Sequence, residues 1–161
     1  MLRALAIEDF GLIARAEIEF ASGLTVFTGE TGSGKTMVLG AIAFVLGERA
    51  GADMVRRGAK RATVTLTFEP SPALRKRLED GGFPVDADED AILTRELSDA
   101  GKSTLRLNGR PTTAGYVRDI AGAIGDIIGQ HEAQRLLAPF YHTEILDHFG
   151  GPELRAVADR V

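Results

Sequence analysis

The stretch GETGSGKT, Gly29 to Thr36, constrains this chain more than any other part of it. It fits the pattern G-x-x-x-x-G-K-[ST], in which a glycine-rich loop wraps the phosphates of a nucleotide. Such a loop must follow a buried strand and begin a helix. The apolar run before it predicts a strand at Leu24 to Thr28. The residues after it have helical spacing of apolar side chains, at Val38, Leu39, Ile42, Val45 and Leu46. The sequence therefore predicts a phosphate-binding loop.

Each position of this loop has a physical reason. Its glycines permit backbone conformations that a side chain would forbid and leave room for an anion. Backbone N–H groups from Thr31 to Thr36 would point inward at a helix N-terminus, where the helix dipole favours negative charge. Lys35 would place its charge on the β- and γ-phosphates, and Thr36 would offer its hydroxyl to Mg²⁺. The Glu30 carboxylate should face solvent, because it would repel phosphate. The expected binding set is Gly29, Glu30, Thr31, Gly32, Ser33, Gly34, Lys35, Thr36 and Met37.

Composition limits the classes of partner. The 161 residues suffice for one domain with a sizeable core. The sequence contains no cysteine, which excludes disulfides and thiolate metal sites. No apolar run approaches about 18 residues, so we expect no membrane span. The net charge of −4 argues against binding a polyanion through bulk charge. Any contact with DNA is therefore expected at a local basic patch.

The remaining sequence predicts an α/β protein with an inserted set of antiparallel strands. Two strands flank a turn at Gly11, and a glycine- and arginine-rich loop follows the first helix. The clean alternation of ATVTLTFE predicts a half-buried strand. Ser71 and Pro72 begin a helix that Gly81 or Gly82 ends. AILTREL and STLRLNG predict paired strands around SDAGK, and a turn at Asn108-Gly109 leads to a helix near residues 112–123. DIIG, at 126–129, predicts a short buried strand.

The acidic half of a hydrolytic site is missing from this pattern. Phosphate-loop ATPases place an Asp at the end of a second buried strand, often followed by a catalytic Glu. No run of four apolar residues followed by Asp occurs here. Asp126 precedes its apolar run, and the acidic stretch at Asp86 to Asp90 lies in a predicted polar loop. LSDAG, from Leu97, is the one candidate for a Ser-Gly phosphate-contacting signature, but its setting is that of a hairpin. The catalytic site is thus predicted to be half present.

Three segments taken together resemble the RecN family of bacterial DNA repair proteins, which are relatives of the structural-maintenance-of-chromosomes (SMC) ATPases. They are GLTVFTGETGSGKT, LGERAGADMVRRG and GQHEAQRLL, flanked by IEDFGLI and HTEILDHFGG in the same order. The similarity covers nearly the whole chain. The family's loop usually has Ala where Ser33 stands and ends in Lys-Ser, but Thr36 keeps the hydroxyl. SbcC- or RecF-type repair ATPases are the alternative, and the Gln-His-Glu segment favours RecN.

The resemblance implies a fold and a division of labour. The fold is an α/β P-loop NTPase, an ABC/SMC-type half of a head, with a mixed sheet plus an antiparallel β lobe. Residues 1–150 would form the N-terminal lobe of the ATPase head, and residues 151–161 would begin a coiled-coil helix. In this family the signature, the Asp-Glu strand and the switch histidine belong to a C-terminal lobe. This chain alone is therefore expected to be inactive, and ATPase activity to require that lobe.

The resemblance also implies cofactors, partners and roles. It predicts ATP and Mg²⁺ as cofactors, a homodimer of heads around two ATP molecules, and double-stranded DNA ends as the target in double-strand-break repair and recombination. The place of action would be the cytoplasm, at the nucleoid. The alternative function is a nucleotide-gated DNA-tethering scaffold with little turnover. A transporter subunit is disfavoured, because it would carry its signature in the same chain.

Two further residues take roles from the family pattern. Gln130 corresponds to the glutamine that reaches Mg²⁺ and the attacking water. Arg57 corresponds to an arginine that contacts phosphate, although Arg56 could take that part equally. The expected catalytic residues are therefore Lys35, Gln130 and Arg57, and the expected metal ligands are Thr36 and Gln130.

Overall fold

The computed structural model describes residues 1–30 and 34–125. Six strands form one sheet: β1 (Leu2–Phe10), β2 (Ile13–Glu19), β3 (Arg61–Phe68), β4 (Ala91–Ser98), β5 (Ser103–Leu107) and β6 (Arg110–Thr112). Three α-helices accompany them, α1 (Lys35–Val45), α2 (Pro72–Asp80) and α3 (Ala114–Ile124), with a short 3-10 helix at Ala52–Met54. Within the described part of the chain, no helix has the length and apolar character needed to span a membrane.

The sheet is antiparallel throughout its described strands, in the order β2-β1-β3-β4-β5-β6. The alternation of β3 is as predicted, with Val64, Leu66 and Phe68 fully buried on one face. Threonines line the other face, where the hydroxyls of Thr65 and Thr94 lie 3.1 Å apart across β3 and β4. This sheet confirms the predicted antiparallel β lobe.

The predicted turns and helix caps are present. Asn108 and Gly109 both have positive φ, 49° and 76°, which a two-residue type I′ hairpin between β5 and β6 requires. The side-chain oxygen of Ser71 accepts a hydrogen bond from Leu74 N at 3.3 Å, so Ser71 caps α2 as predicted. Thr113 caps α3 in the same way. The strand β6 was missed, because three residues containing a proline carry no strand signal.

The core lies between the sheet and α1. Phe44 of α1 is 1% exposed, and its ring centroid lies 5.3 Å from that of Phe10 on β1. Burying an aromatic ring of this size contributes about 2–3 kcal/mol. Ile42, Val45 and Leu46 of the predicted apolar stripe are buried, whereas Leu39, nearer the helix N-terminus, is 54% exposed. Within the described structure, the C-terminal half of α1 is therefore the part that packs in the core.

The strand predicted at Leu24 to Thr28 is wrong for the described structure. This segment has no regular secondary structure, and Leu24, Val26 and Phe27 are 87%, 67% and 44% exposed. A strand needs a neighbour for its backbone hydrogen bonds, and none of the described strands pairs with it. Phe27 instead packs edge-on against Phe20, with ring centroids 6.4 Å apart. The predicted strand at 126–129 and the coiled-coil start at 151–161 lie outside the described residues.

Candidate nucleotide-binding site

The N-terminus of α1 is built to receive an anion. Gly34 is its N-cap residue, in the left-handed conformation with φ 94° and ψ 0°. No side chain caps the helix, and its first turn contains no acidic residue. The first N–H groups of a helix have no partner within it and carry the positive end of its dipole. A phosphate fits these donors, as the motif predicts. Thr31, Gly32 and Ser33 lie outside the described residues.

Lys35 turns back across the loop that precedes it. Its ammonium group donates hydrogen bonds to the carbonyl oxygens of Gly29 and, at 2.7 Å, Glu30. These bonds hold the charge at the loop, in a partly exposed position. Solvent-accessible hydrogen bonds of this kind contribute only about 1 kcal/mol each, so phosphate oxygens can replace the carbonyls. The Glu30 side chain is exposed, as predicted, and so is Thr36, which leaves its hydroxyl accessible.

The turn between β1 and β2 connects the start of α1 with the arginine-containing loop. The side chain of Met37 lies against Gly11, which has a φ of 56°. Gly11 N donates to the carbonyl oxygen of Met54 at 2.7 Å, and Arg56 N donates to that of Asp9 at 2.8 Å. The β1–β2 turn and the end of β1 therefore contact both α1, through Met37, and the arginine-containing loop. This arrangement, which the sequence did not reveal, brings the arginine loop to the first turns of α1.

Arg56 and Arg57 are both exposed on this loop. Neither side chain has a hydrogen bond or an ion pair to any other described residue. They line a cleft of about 360 Å³ together with Lys60 and Asp99. The cleft thus concentrates positive charge beside the turn that contacts Met37. The geometry does not favour Arg57 over Arg56 as the arginine expected to contact phosphate.

The two acidic segments singled out in the sequence form a loop and a hairpin. The Asp86 to Asp90 stretch is a loop, as predicted, and the guanidinium of Arg75 binds its backbone carbonyl groups, including that of Glu89 at 3.1 Å. LSDAG forms the β4–β5 hairpin, in which Gly101 N donates to Ser98 O at 2.9 Å. No group of three metal-binding side chains occurs within residues 1–30 and 34–125. Gln130 lies outside the described residues.

Sequence reasoning also missed a buried arginine. Arg95 is 5% exposed and lies in the core-facing row of β4, with Leu93 and Leu97 on either side. Burial is the main reason why its pKa is lowered, and the charge of Arg118 adds to the effect. The signal was present in AILTREL, where an arginine occupies a position that the alternation assigns to the core.

A helix that begins at a phosphate-loop motif and packs on an antiparallel β lobe defines the class: this is an α/β fold of the P-loop NTPase type. The sequence profile described as "AAA domain" matches residues 4–136. The chain therefore belongs to the AAA domain family.

The similar curated relatives are DNA repair proteins named RecN. The protein from Halalkalibacterium halodurans is 42% identical over 99% of this chain and 28% of its own length. That from Bacillus subtilis is 36% identical over 97% of this chain and 27% of its own length. The chain thus spans just over a quarter of these relatives.

A solved structure supports the same class. An SMC ATPase, studied for ATP-driven dimerization and DNA-stimulated activation, has a TM-score of 0.67 and 25% identity. The match covers 91% of this chain and 97% of that chain. The SMC-type fold predicted from the sequence is confirmed.

The contact between the turn and α1 can be tested at Gly11. A methyl group there would lie 2.0 Å from Cε of Met37, at a φ that costs a non-glycine residue about 1–2 kcal/mol. We expect Gly11→Ala to lower the free energy of unfolding of the 161-residue chain by about that backbone cost plus a smaller steric contribution, because only the flexible end of the Met37 side chain has to move. The control is Gly58→Ala, which has positive φ but nothing within 4 Å. In a double-mutant cycle measured by urea unfolding, Met37→Ala should remove the excess for Gly11→Ala; a coupling near zero would contradict the contact.

Proposed function

We propose that this chain is the nucleotide-binding lobe of an SMC-like ATPase head that acts in DNA double-strand-break repair and recombination. The observation that carries the proposal is the uncapped N-terminus of α1, with Lys35 folded over the phosphate-loop motif that precedes it. The RecN name of the relatives and the SMC-type fold support the repair function.

ATP and Mg²⁺ are the proposed cofactors. The backbone donors at the start of α1 and the ammonium group of Lys35 would hold the phosphates, and Thr36 would hold the metal together with Gln130. The donor set fits: the oxygen of a hydroxyl and of an amide suit Mg²⁺, and N–H and ammonium groups suit phosphate. The bound metal would neutralise charge on the phosphates. Arg57, or its neighbour Arg56, would supply a further positive charge there.

A second lobe is the proposed partner for the segment before the loop. Leu24, Val26 and Phe27 are apolar β-formers, yet they stay exposed and pair with none of the described strands. A segment with this composition gains stability when another strand pairs with it and covers its side chains. The complementary lobe would supply that strand and, with it, the acidic residues that the described chain lacks near the loop.

The assembled head is proposed to dimerise around two ATP molecules and to act on the ends of double-stranded DNA at the nucleoid. The proposed DNA-contacting surface on this lobe is the arginine loop, because Arg56, Arg57 and Lys60 line one cleft on a chain with a net charge of −4. Local positive charge of this kind attracts phosphate oxygens even when the whole chain is acidic.

Replacing the loop lysine tests the binding site. We expect Lys35→Ala to abolish ATP binding, a loss of at least roughly 100-fold, because Lys35 is proposed to bond both the β- and the γ-phosphate and each charge-assisted hydrogen bond contributes about 1.5–3 kcal/mol. The melting temperature should change little, since the bonds of Lys35 to Gly29 and Glu30 are exposed. Calorimetric ATP titration and thermal melting measure the two effects. Lys102→Ala, at an exposed hairpin position, is the matched control. Unchanged ATP affinity in folded Lys35→Ala would overturn the assignment.

Complementation tests the division into lobes. The 161-residue chain alone should hydrolyse ATP at a negligible rate, because its sequence contains no run of four apolar residues followed by Asp and its described residues contain no group of three metal-binding side chains. Addition of the remainder of the protein as a second polypeptide should restore turnover. The measurement is steady-state phosphate release, with Lys35→Ala as the control for a contaminating ATPase. Turnover by the isolated chain at the rate of the whole protein would refute the split head.

The catalytic assignments can be separated from binding in the whole protein. Gln130→Ala and Arg57→Ala should each lower kcat by on the order of 100-fold with a smaller change in KM, because both groups are proposed to act in the closed, reacting state. Arg56→Ala, one position away on the same loop, is the comparison for Arg57. If Arg56→Ala loses turnover and Arg57→Ala does not, Arg56 takes the role. Wild-type kcat in all three variants would remove both segments from the mechanism.

A further inference from the structure

Arg95 is the only charged residue buried among the described residues. It occupies the core-facing row of β4, where its neighbours are Leu93 and Leu97. A guanidinium in such a position is stable only when hydrogen bonds replace its lost hydration. The hydrogen-bond partners of Arg95 therefore indicate which part of the fold it stabilises.

Those bonds lead to the C-terminal end of α1. Nη1 of Arg95 donates to the carbonyl oxygens of Phe44, at 2.5 Å, and Glu48, at 2.7 Å. The guanidinium carbon lies 4.4 Å from the centroid of the Phe44 ring, and Nε donates to the Ser103 hydroxyl on β5 at 2.9 Å. One side chain thus joins two strands of the β lobe to the last turn of the helix.

The electrostatics explain why an arginine serves here. The last carbonyl groups of a helix carry the negative end of its dipole. In α1 Phe44 O already accepts a backbone bond from Gly47 N at 3.1 Å, and Arg95 adds a charged donor to the same oxygen. The last turn of α1 contains no basic residue of its own. Arg95 supplies the missing charge from across the core, and Arg118 of α3 adds a second bond, to Gly47 O at 2.9 Å. Arg95 makes no ion pair with any described carboxylate, although the charge of Glu48 lies near enough to favour its protonated form, so its direct bonds are to the two carbonyl groups and to Ser103.

The other end of the same helix carries the phosphate loop. The eleven residues of α1 span about 16 Å at 1.5 Å per residue. A rotation of the helix by about 4° about its C-terminal end would move its N-terminus by about 1 Å over that length. A displacement of about 1 Å in a site can change its activity by about 100-fold. An anchor at the C-terminal end therefore controls where Lys35 and Thr36 lie.

We propose that Arg95 is a positioning residue that acts through α1 to hold the phosphate loop in its ATP-binding position. This inference rests on the proposed function of the loop. Arg95 does not touch the nucleotide site; it joins the position of the loop to the β lobe, so that a movement of β4 relative to α1 changes ATP affinity.

The test measures MgATP affinity in the full-length protein with a fluorescent ATP analogue, at a temperature at which every variant is folded. Arg95→Met keeps the length of the side chain but loses all its bonds, and we expect its Kd to rise by about tenfold or more. Arg95→Lys keeps the charge and can donate to the carbonyl groups, so its Kd should rise by only about threefold. Leu93→Ala, in the same buried row, is the control: it should lower the melting temperature with a Kd within about twofold of the wild type.

Two outcomes overturn the proposal. One is a Kd of Arg95→Met within twofold of the wild type; the other is an equal rise of Kd in Leu93→Ala, which would mean that general loosening of the core suffices. If Arg95→Met does not fold, the Kd of Arg95→Lys is compared with that of Leu93→Ala. A larger rise of Kd in Arg95→Lys supports the proposal, and an equal or smaller rise overturns it. Wild-type protein that fails to bind MgATP would refute the proposed function itself, whereas wild-type binding with unaffected Arg95 variants refutes this inference alone.

Discussion

Hydrogen bonding at the two ends of α1 is the constraint on which the rest of this structure depends. The N-terminus of α1 has no capping side chain, so that end of the helix gains no stability from capping. The helix must then be held from elsewhere. Phe44 and its neighbours bury the C-terminal half against the sheet, and Arg95 donates to Phe44 O in the last turn and to Glu48 O just beyond the helix. The β lobe therefore supports a helix whose N-terminus has no capping side chain.

The turn at Gly11 extends that support to the arginine loop. Its backbone bonds to Met54 and Arg56, and its contact with Met37, join three segments that are far apart in sequence. Because backbone hydrogen bonds position these contacts, the loop's approach to the turn does not depend on its arginine side chains. The division is typical of binding sites: a rigid scaffold supports exposed side chains that remain available to the ligand.

Local sequence signals allowed much of this fold to be predicted. The features that were not predicted depend on contacts between residues far apart in the sequence. The alternation in β3, the Ser71 cap and the Asn108-Gly109 turn depend on neighbouring residues, so the sequence displays them directly. The loop motif and the helix after it were predicted for the same reason. The prediction of a strand at residues 24–28 was wrong, because a strand needs a neighbouring strand to pair with, and local composition does not reveal whether one is present. The role of Arg95 was missed because its acceptors lie some 50 positions away, at Phe44 and Glu48.

The exposed residues 24–27 also bear on how such a chain is made. The chain corresponds to 28% of the length of its relative from Halalkalibacterium halodurans, which leaves roughly 400 further residues in a protein of that size. Ribosomes add about 5–20 residues per second, so a complementary lobe at the far end would emerge on the order of tens of seconds after this one. Throughout that interval Leu24, Val26 and Phe27 would face the solvent as an uncovered, β-prone segment. Such segments invite pairing between nascent chains, and a chaperone that shields them would act at this stage of synthesis.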